Sequence, residues 1–198
     1  MYKFIFDLDS TITREEILPK IALEVHKGRE MRELTEATMQ GEIPFRESFE
    51  RRVKILSELP INKVQNIVES IKLNEKLVEF IKRNKENCYI VTGNLDQWIC
   101  KLLRKINMVD HCYCSMADVQ DNKLLGIKSI IDKKEVVSKM EGKKIVVGDG
   151  NNDAEMISIA DVGVGFGGVR DIAPAVLHSC THAVYSEEGL VKFLNYFV

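Results

Sequence analysis

The run Lys3-Phe4-Ile5-Phe6-Asp7-Leu8-Asp9-Ser10-Thr11 carries an apolar strand straight into two carboxylates one residue apart. Three more short apolar runs, 88–92, 144–148 and 161–165, also end in Thr, Gly or Asp before a helical pattern takes over. A fifth short strand fits 181–185. Strands that alternate with helices predict an α/β fold, a doubly wound, mainly parallel sheet with a Rossmann-like core. Ligands in such sheets sit at the carboxyl ends of the strands, where the polar residues of this chain cluster.

Residues 13–73 break the alternation. They hold no strand-like run and read as helices over 13–26, 29–39, 45–57 and 62–71, with breakers at Gly28, Gly41-Glu42-Ile43-Pro44 and Leu59-Pro60. This predicts a small helical bundle inserted after the first strand, a cap of 13–73 on a core of 1–12 plus 74–198. The stretch 117–127, with Asp121-Asn122-Lys123 at its middle, predicts a small hairpin.

The composition excludes several classes. The chain has 198 residues, 45% apolar and 29% charged, with 28 Lys+Arg against 30 Asp+Glu. That suits one domain, or one domain with an insertion, able to bury roughly 70% of its unfolded surface. A net charge of −2 lacks the basic excess of a nucleic-acid binder. No stretch approaches the ~18 uninterrupted apolar residues of a membrane span, and no long apolar signal segment precedes Asp7. The five cysteines are odd in number and lack zinc or scaffold spacing, which predicts reduced thiols in a cytosolic protein. Cys112 and Cys114 read as small residues in or beside a strand. The four histidines show no ligand spacing.

Four stretches carry chemistry. Asp7 and Asp9 repel one another unless a cation or a shared proton intervenes. That leaves a hard-cation site, or a nucleophile with an acid/base partner. Ser10 and Thr11 predict the opening of a helix, whose free N–H groups favour an anion. A polar loop with a helix cap would account for the same residues structurally. In Gly148-Asp149-Gly150-Asn151-Asn152-Asp153, Asp149 is the natural partner of Asp7 and Asp9, and carboxylates with water suit Mg²⁺. A capping box from Asn152 to Glu155 explains Asn152 but neither Asp149 nor Asp153. In Ile90-Val91-Thr92-Gly93-Asn94, a hydroxyl and backbone N–H groups could hold a phosphoryl oxygen, though Thr-Gly-Asn is also ordinary turn chemistry. Phosphate chemistry among carboxylates finally requires a fixed positive charge. Of Lys133, Lys134, Lys139, Lys143 and Lys144, Lys133 is best placed, because Asp132 and Glu135 mark a helix start and make it the first helical residue.

In this order the four stretches resemble the haloacid dehalogenase superfamily of phosphatases, over essentially the whole chain. Asp7, Asp9 and Thr11 match its D-x-D-x-T loop, Thr92 its second motif, Lys133 its lysine, and Gly148 to Asp153 its G-D-G-x-N-D loop. The resemblance implies that Asp7 is the nucleophile and forms an aspartyl-phosphate, and that Asp9 is first general acid, then base. It implies Mg²⁺ held by Asp7, the backbone carbonyl of Asp9 and Asp149, with Asp153 close by. Thr92, Gly93, Lys133 and Asn152 would hold the phosphoryl oxygens.

The inserted helices are similar to the cap of the phosphoserine phosphatase branch. Glu16 lies nine positions after Asp7, and Met39-Gln40-Gly41-Glu42-Ile43-Pro44-Phe45 is followed by Glu50-Arg51-Arg52-Val53. On this match Glu16 meets a substrate amine, Arg52 a carboxylate, and Met39 and Phe45 form apolar walls. Other readings exist for each: a capping box Thr13-x-x-Glu16, a solvated helix arginine, cap core. One departure stands out. The branch has Ser-Gly-Gly-Phe where this chain has Thr92-Gly93-Asn94-Leu95.

The leading expectation is a Mg²⁺-dependent phosphomonoester hydrolase acting on O-phosphoserine or a similar small phosphorylated metabolite, with neither nucleic acid nor membrane as partner. Alternatives are phosphotransfer to an alcohol such as homoserine, hydrolysis of another small phosphomonoester, and, remotely, a phospho-accepting regulatory module. Such a module would need neither Asp9 nor a cap.

Overall fold

The computed structural model describes residues 2–198. Strand β1 (Tyr2–Phe6) leads into helices α1 (Ile17–Ala22), α2 (Gly28–Met39), α3 (Phe45–Leu56), α4 (Ile61–Glu69) and α5 (Glu75–Arg83). Strand β2 (Cys88–Leu95), helix α6 (Asp96–Ile106), strands β3 (Cys112–Gln120) and β4 (Lys123–Ser129) and helix α7 (Lys133–Lys139) follow. The chain ends with β5 (Lys143–Gly148), α8 (Ala154–Ser158), β6 (Val162–Phe166), α9 (Pro174–Ser179), β7 (His182–Val184) and α10 (Glu187–Leu194).

The seven strands form one sheet in the order β4-β3-β2-β1-β5-β6-β7. All neighbours run parallel except the β3–β4 hairpin. The alternation of strand side chains, with both faces of the sheet covered, explains why Phe4, Ile5 and Phe6 are buried in succession. Phe4 and Phe6 pack into one cluster with Phe80 of α5, Trp98 of α6 and Leu190 of α10. Ile5 points to the other face and joins Val137 of α7, Met156 of α8 and Val176 of α9. Helices therefore cover both faces, as the alternating pattern predicts.

Strand β1 lies between β2 and β5, where the chain first builds outward on one side and then crosses to the other. This is the switch point at which open α/β sheets bind ligands. Phe6 pairs in register with Ile90 and Val147, and the Asp7 N–H donates to the Val147 carbonyl at 2.9 Å. The ends carrying Asp7, Thr92 and Asp149 are therefore adjacent.

Several boundaries differ from expectation. The first inserted helix starts at Ile17, not residue 13. The Thr13 hydroxyl donates toward the Leu8 and Glu15 carbonyls instead of capping a helix. Thr13 also bridges Leu73 in a short antiparallel contact that lays the two linkers side by side. Ser10 and Thr11 sit in a turn rather than a helix, and Ser10 adopts a left-handed φ of 53°. Strand β2 runs on past Thr92 to Leu95 through an irregularity. Strand β3 begins at Cys112, pairs in parallel with β2, and only then enters the expected hairpin.

Helices α1, α2 and α3 cover the strand ends. Helix α4 lies against α6, fastened by Gln65 Nε2 to the Gln97 carbonyl (2.8 Å) and by Lys101 Nζ to Asn66 Oδ1 (2.6 Å).

Candidate active site

The floor is built by strand ends. Asp7 follows β1, and Asp149 and Asp153 flank the turn after β5. One carboxylate oxygen from each lies within 4.8 Å of the other two. Lys133, the first residue of α7, reaches between them, with Nζ at 2.5 Å from Asp7 Oδ1 and 2.6 Å from Asp153 Oδ1. Its helix starts there because the Asp132 side chain accepts the Glu135 N–H at 2.9 Å. All four side chains are buried, so Lys133 is not a solvated surface charge.

Asp153 is tied down further, its Oδ2 accepting the N–H groups of Asp149 (3.1 Å) and Gly150 (2.9 Å). Gly148 permits this, since a Cβ there would lie 2.7 Å from the Asp153 carboxyl. The Thr11 hydroxyl donates to Asp149 Oδ1 at 3.3 Å.

Burial, reinforced by the Asp153 charge, pushes the carboxyl groups of Asp7 and Asp149 well above the usual carboxylate range. Burial alone would lower the Lys133 ammonium, but the charges of Asp153 and Asp7 outweigh it and raise it. Three buried carboxylates face one lysine in direct contact and Arg170, whose charge is shared with Glu16, and so lack full compensating positive charge. An oxygen-only donor set with that deficit fits a hard divalent cation.

Asp9 stands apart from this cluster. Its Oδ1 accepts the Ile17 N–H at 2.8 Å, capping α1, and its Oδ2 accepts from Asn94 Nδ2. Burial, then the charge of Glu16, pushes the Asp9 carboxyl up to about 7. Thr92 is fully buried, and its Oγ1 accepts the Asn94 N–H at 3.2 Å.

The roof comes from the inserted helices. A cavity of about 50 Å³ is lined by Asp7, Asp9 and Asp149 below and by Glu16, Met39, Phe45 and Arg52 above. Gly93, Asn94 and Asn152 also line it, whereas Thr92, Lys133 and Asp153 lie behind the lining. Every cap residue singled out from the sequence therefore faces the same space. The Phe45 ring presses onto the backbone at Gly93, where an added Cβ would collide with it.

The cap polar groups are already engaged. Glu16 Oε1 accepts the Ser10 hydroxyl at 3.0 Å and pairs with Arg170 Nη1. Arg52 is buried and donates from Nε to the Ser48 carbonyl and from Nη1 to Thr35 Oγ1, both at 3.3 Å. Arg170 was not singled out by the sequence reading. It lies in the loop after β6, with Nε 3.7 Å from Asp149 Oδ2, and so joins floor to roof. Its position just past the carboxyl end of a parallel strand was the available signal.

Comparison with known proteins agrees with this arrangement. The model of the haloacid dehalogenase-like hydrolases matches residues 4–158. The phosphoserine phosphatase of Archaeoglobus fulgidus is 33% identical, over 94% of this chain and 57% of that protein. That of Methanocaldococcus jannaschii is 31% identical, over 82% of this chain and 83% of that protein. Among solved structures, a phospho-aspartyl intermediate analogue of phosphoserine phosphatase superposes with a TM-score of 0.83 at 27% identity, covering 99% of both chains. A substrate-bound phosphoserine phosphatase complex gives 0.82 at 25% identity, covering 99% of this chain and 98% of the other. With carboxylates at these strand ends, a lysine between them and a helical roof above, the chain belongs to the haloacid dehalogenase-like hydrolase family, in the branch that resembles phosphoserine phosphatase.

Proposed function

We propose that the protein is a Mg²⁺-dependent phosphomonoester hydrolase, working through an aspartyl-phosphate on Asp7, with O-phosphoserine or a close relative as substrate. The observation that carries this reading is the buried cluster of Asp7, Asp149 and Asp153 around Lys133 at the floor of a roofed cavity. Its relatives named as phosphoserine phosphatases support the substrate class.

In this reading an Asp7 carboxylate oxygen attacks phosphorus and the ester oxygen leaves. Asp9, whose carboxyl holds its proton up to about neutrality, delivers that proton to the leaving oxygen. Asp9 then takes a proton from water as the water oxygen attacks the phosphoryl group, which releases phosphate and restores Asp7. Asp7, Asp149, Asp153 and the Asp9 carbonyl would hold Mg²⁺, which supplies charge neutralisation on the phosphoryl oxygens. Thr92, Gly93, Lys133 and Asn152 bind those oxygens. Glu16 takes the substrate amine and Arg52 its carboxylate, with Met39 and Phe45 as walls. Residues 13–73 act as the substrate-covering cap on a core of 1–12 plus 74–198. The cytosolic placement expected from the cysteine count belongs to the same reading.

The test is phosphate release from a panel of phosphomonoesters, with and without Mg²⁺, alongside Asp7→Asn. Metal-dependent release that drops at least about 10³-fold in the variant is expected. Release unaffected by Asp7→Asn rejects the mechanism. Phosphate appearing on an added alcohol, rather than in solution, replaces hydrolysis with transfer.

A further inference from the structure

Asn94 holds the one buried side-chain polar atom without a hydrogen-bond partner among the described residues, its Oδ1. The residue is 2% exposed and lines the cavity beside Asp9, Glu16, Arg52 and Gly93. Its other groups are engaged. The backbone N–H donates to Thr92 Oγ1 at 3.2 Å, and Nδ2 donates to Asp9 Oδ2. The amide is set with Nδ2 toward Asp9 Oδ2, which leaves Oδ1 as its remaining group. The amide therefore completes the grip on Asp9, whose Oδ1 is held by the Ile17 N–H. It is left with an acceptor that no protein donor reaches, in a residue that lines the cavity.

The chemistry of that acceptor limits what it can face. Phosphoryl oxygens are themselves acceptors, so Oδ1 does not read the phosphate. Asp9 protonates the leaving oxygen in the proposed reaction, so an amide fixed to Asp9 lies on the side of the alcohol part of the ester.

Resting on that reading, we propose that Asn94 is a specificity-determining residue: Nδ2 positions Asp9, and Oδ1 accepts a hydrogen bond from an ammonium or hydroxyl group on the alcohol part of the substrate. The site thereby selects phosphomonoesters with a donor close to the ester oxygen over analogues without one, since a buried acceptor left unpaired discriminates against the latter.

The experiment compares kcat/KM for O-phosphoserine and for 3-phosphonooxypropanoate, which has hydrogen in place of the ammonium, in the unsubstituted protein, Asn94→Ala and Asn94→Asp. Asn94→Ala removes both amide functions and should shrink the preference for phosphoserine roughly tenfold. Asn94→Asp keeps an acceptor at the same reach but not the N–H on Asp9. It should retain most of the preference while kcat falls on both esters. A preference unchanged in Asn94→Ala, or lost equally in both variants, overturns the inference. Absence of turnover in the unsubstituted protein strikes the phosphatase reading itself, so the two failures are distinguishable. Should Asn94→Ala not fold, Asn94→Leu, similar in size and without an acceptor, takes its place: the same loss of preference is expected, and an unchanged preference overturns the inference.

Discussion

The floor of the cavity and its roof are held in different ways. Below, the groups are fixed by charge and by the sheet: Lys133 pairs with both Asp7 and Asp153, and Asp153 is pinned by two backbone N–H groups. Above, Glu16 and Arg52 are tied to the protein by side-chain contacts, with Ser10 and Arg170 on one and Ser48 and Thr35 on the other, which in the proposed function a substrate would share or displace. The floor is preorganised for one chemistry. In the proposed function the roof serves the choice among related substrates. Changes to the floor should therefore abolish turnover, whereas changes to the roof should redistribute it.

The largest effect is expected at the floor. Asp149→Asn should remove Mg²⁺-dependent turnover by at least about 10³-fold. It should also remove the thermal stabilisation that Mg²⁺ gives. A ligand at a hundredfold its Kd stabilises by about 2.7 kcal/mol, or roughly 5–10 °C for a chain of this size. Thermal unfolding with and without Mg²⁺ reads this directly. An equal Mg²⁺ increment in both proteins would mean that the ion binds elsewhere.

Lys133→Met comes next. It leaves Asp7 and Asp153 buried without their cation, and breaking a buried pair in this way costs about 3–5 kcal/mol. Denaturant unfolding of the metal-free protein should show that loss, and added Mg²⁺ should recover part of it. A loss below about 0.5 kcal/mol, the scale of an exposed ion pair, would show that the lysine does not hold the floor together.

At the roof, Arg52→Ala should raise KM about 10- to 100-fold for carboxylate-bearing esters and much less for esters without a carboxylate. Loss of equal size on all substrates would make Arg52 a structural residue of α3 and weaken the contrast between floor and roof.

This contrast also explains what the sequence made legible. Asp7, Asp149, Asp153 and Lys133 stand at ends of apolar runs or at a helix start, so local pattern and chemistry coincide there. The floor could be read residue by residue. Arg170 could not, because its partner Glu16 is 154 positions away and no spacing rule joins them. Cys112 and Cys114 read from the sequence as small residues in or beside a strand, but Cys112-Tyr113-Cys114-Ser115 lacks the apolar run that would have shown its pairing with β2. The start of α1 was misplaced because Thr13 has the sequence of a cap, yet its hydroxyl serves the linker and Asp9 caps the helix instead. Tertiary contacts decided each of these.

The smallest effect concerns where the roof ends. Helix α4 was read with the cap, but its N-terminus is capped by the hairpin of the core. The Asn122 carbonyl accepts the Ile61 N–H and the Asn122 Oδ1 accepts the Asn62 N–H, both at 2.9 Å. With α6 along its side, α4 is fastened to the core at its end and along its length. Asn122 has a φ of 64°, so Asn122→Gly keeps the backbone conformation and removes only the side-chain cap. Loss of a cap costs about 1 kcal/mol, which predicts a fall of roughly 2–4 °C in Tm. If α4 stays with the core while α1, α2 and α3 move over the cavity, kcat and KM should be unchanged in this variant. A shift in KM alongside the small loss of stability would instead make α4 part of the moving roof and draw the seam between the two regions on its core side.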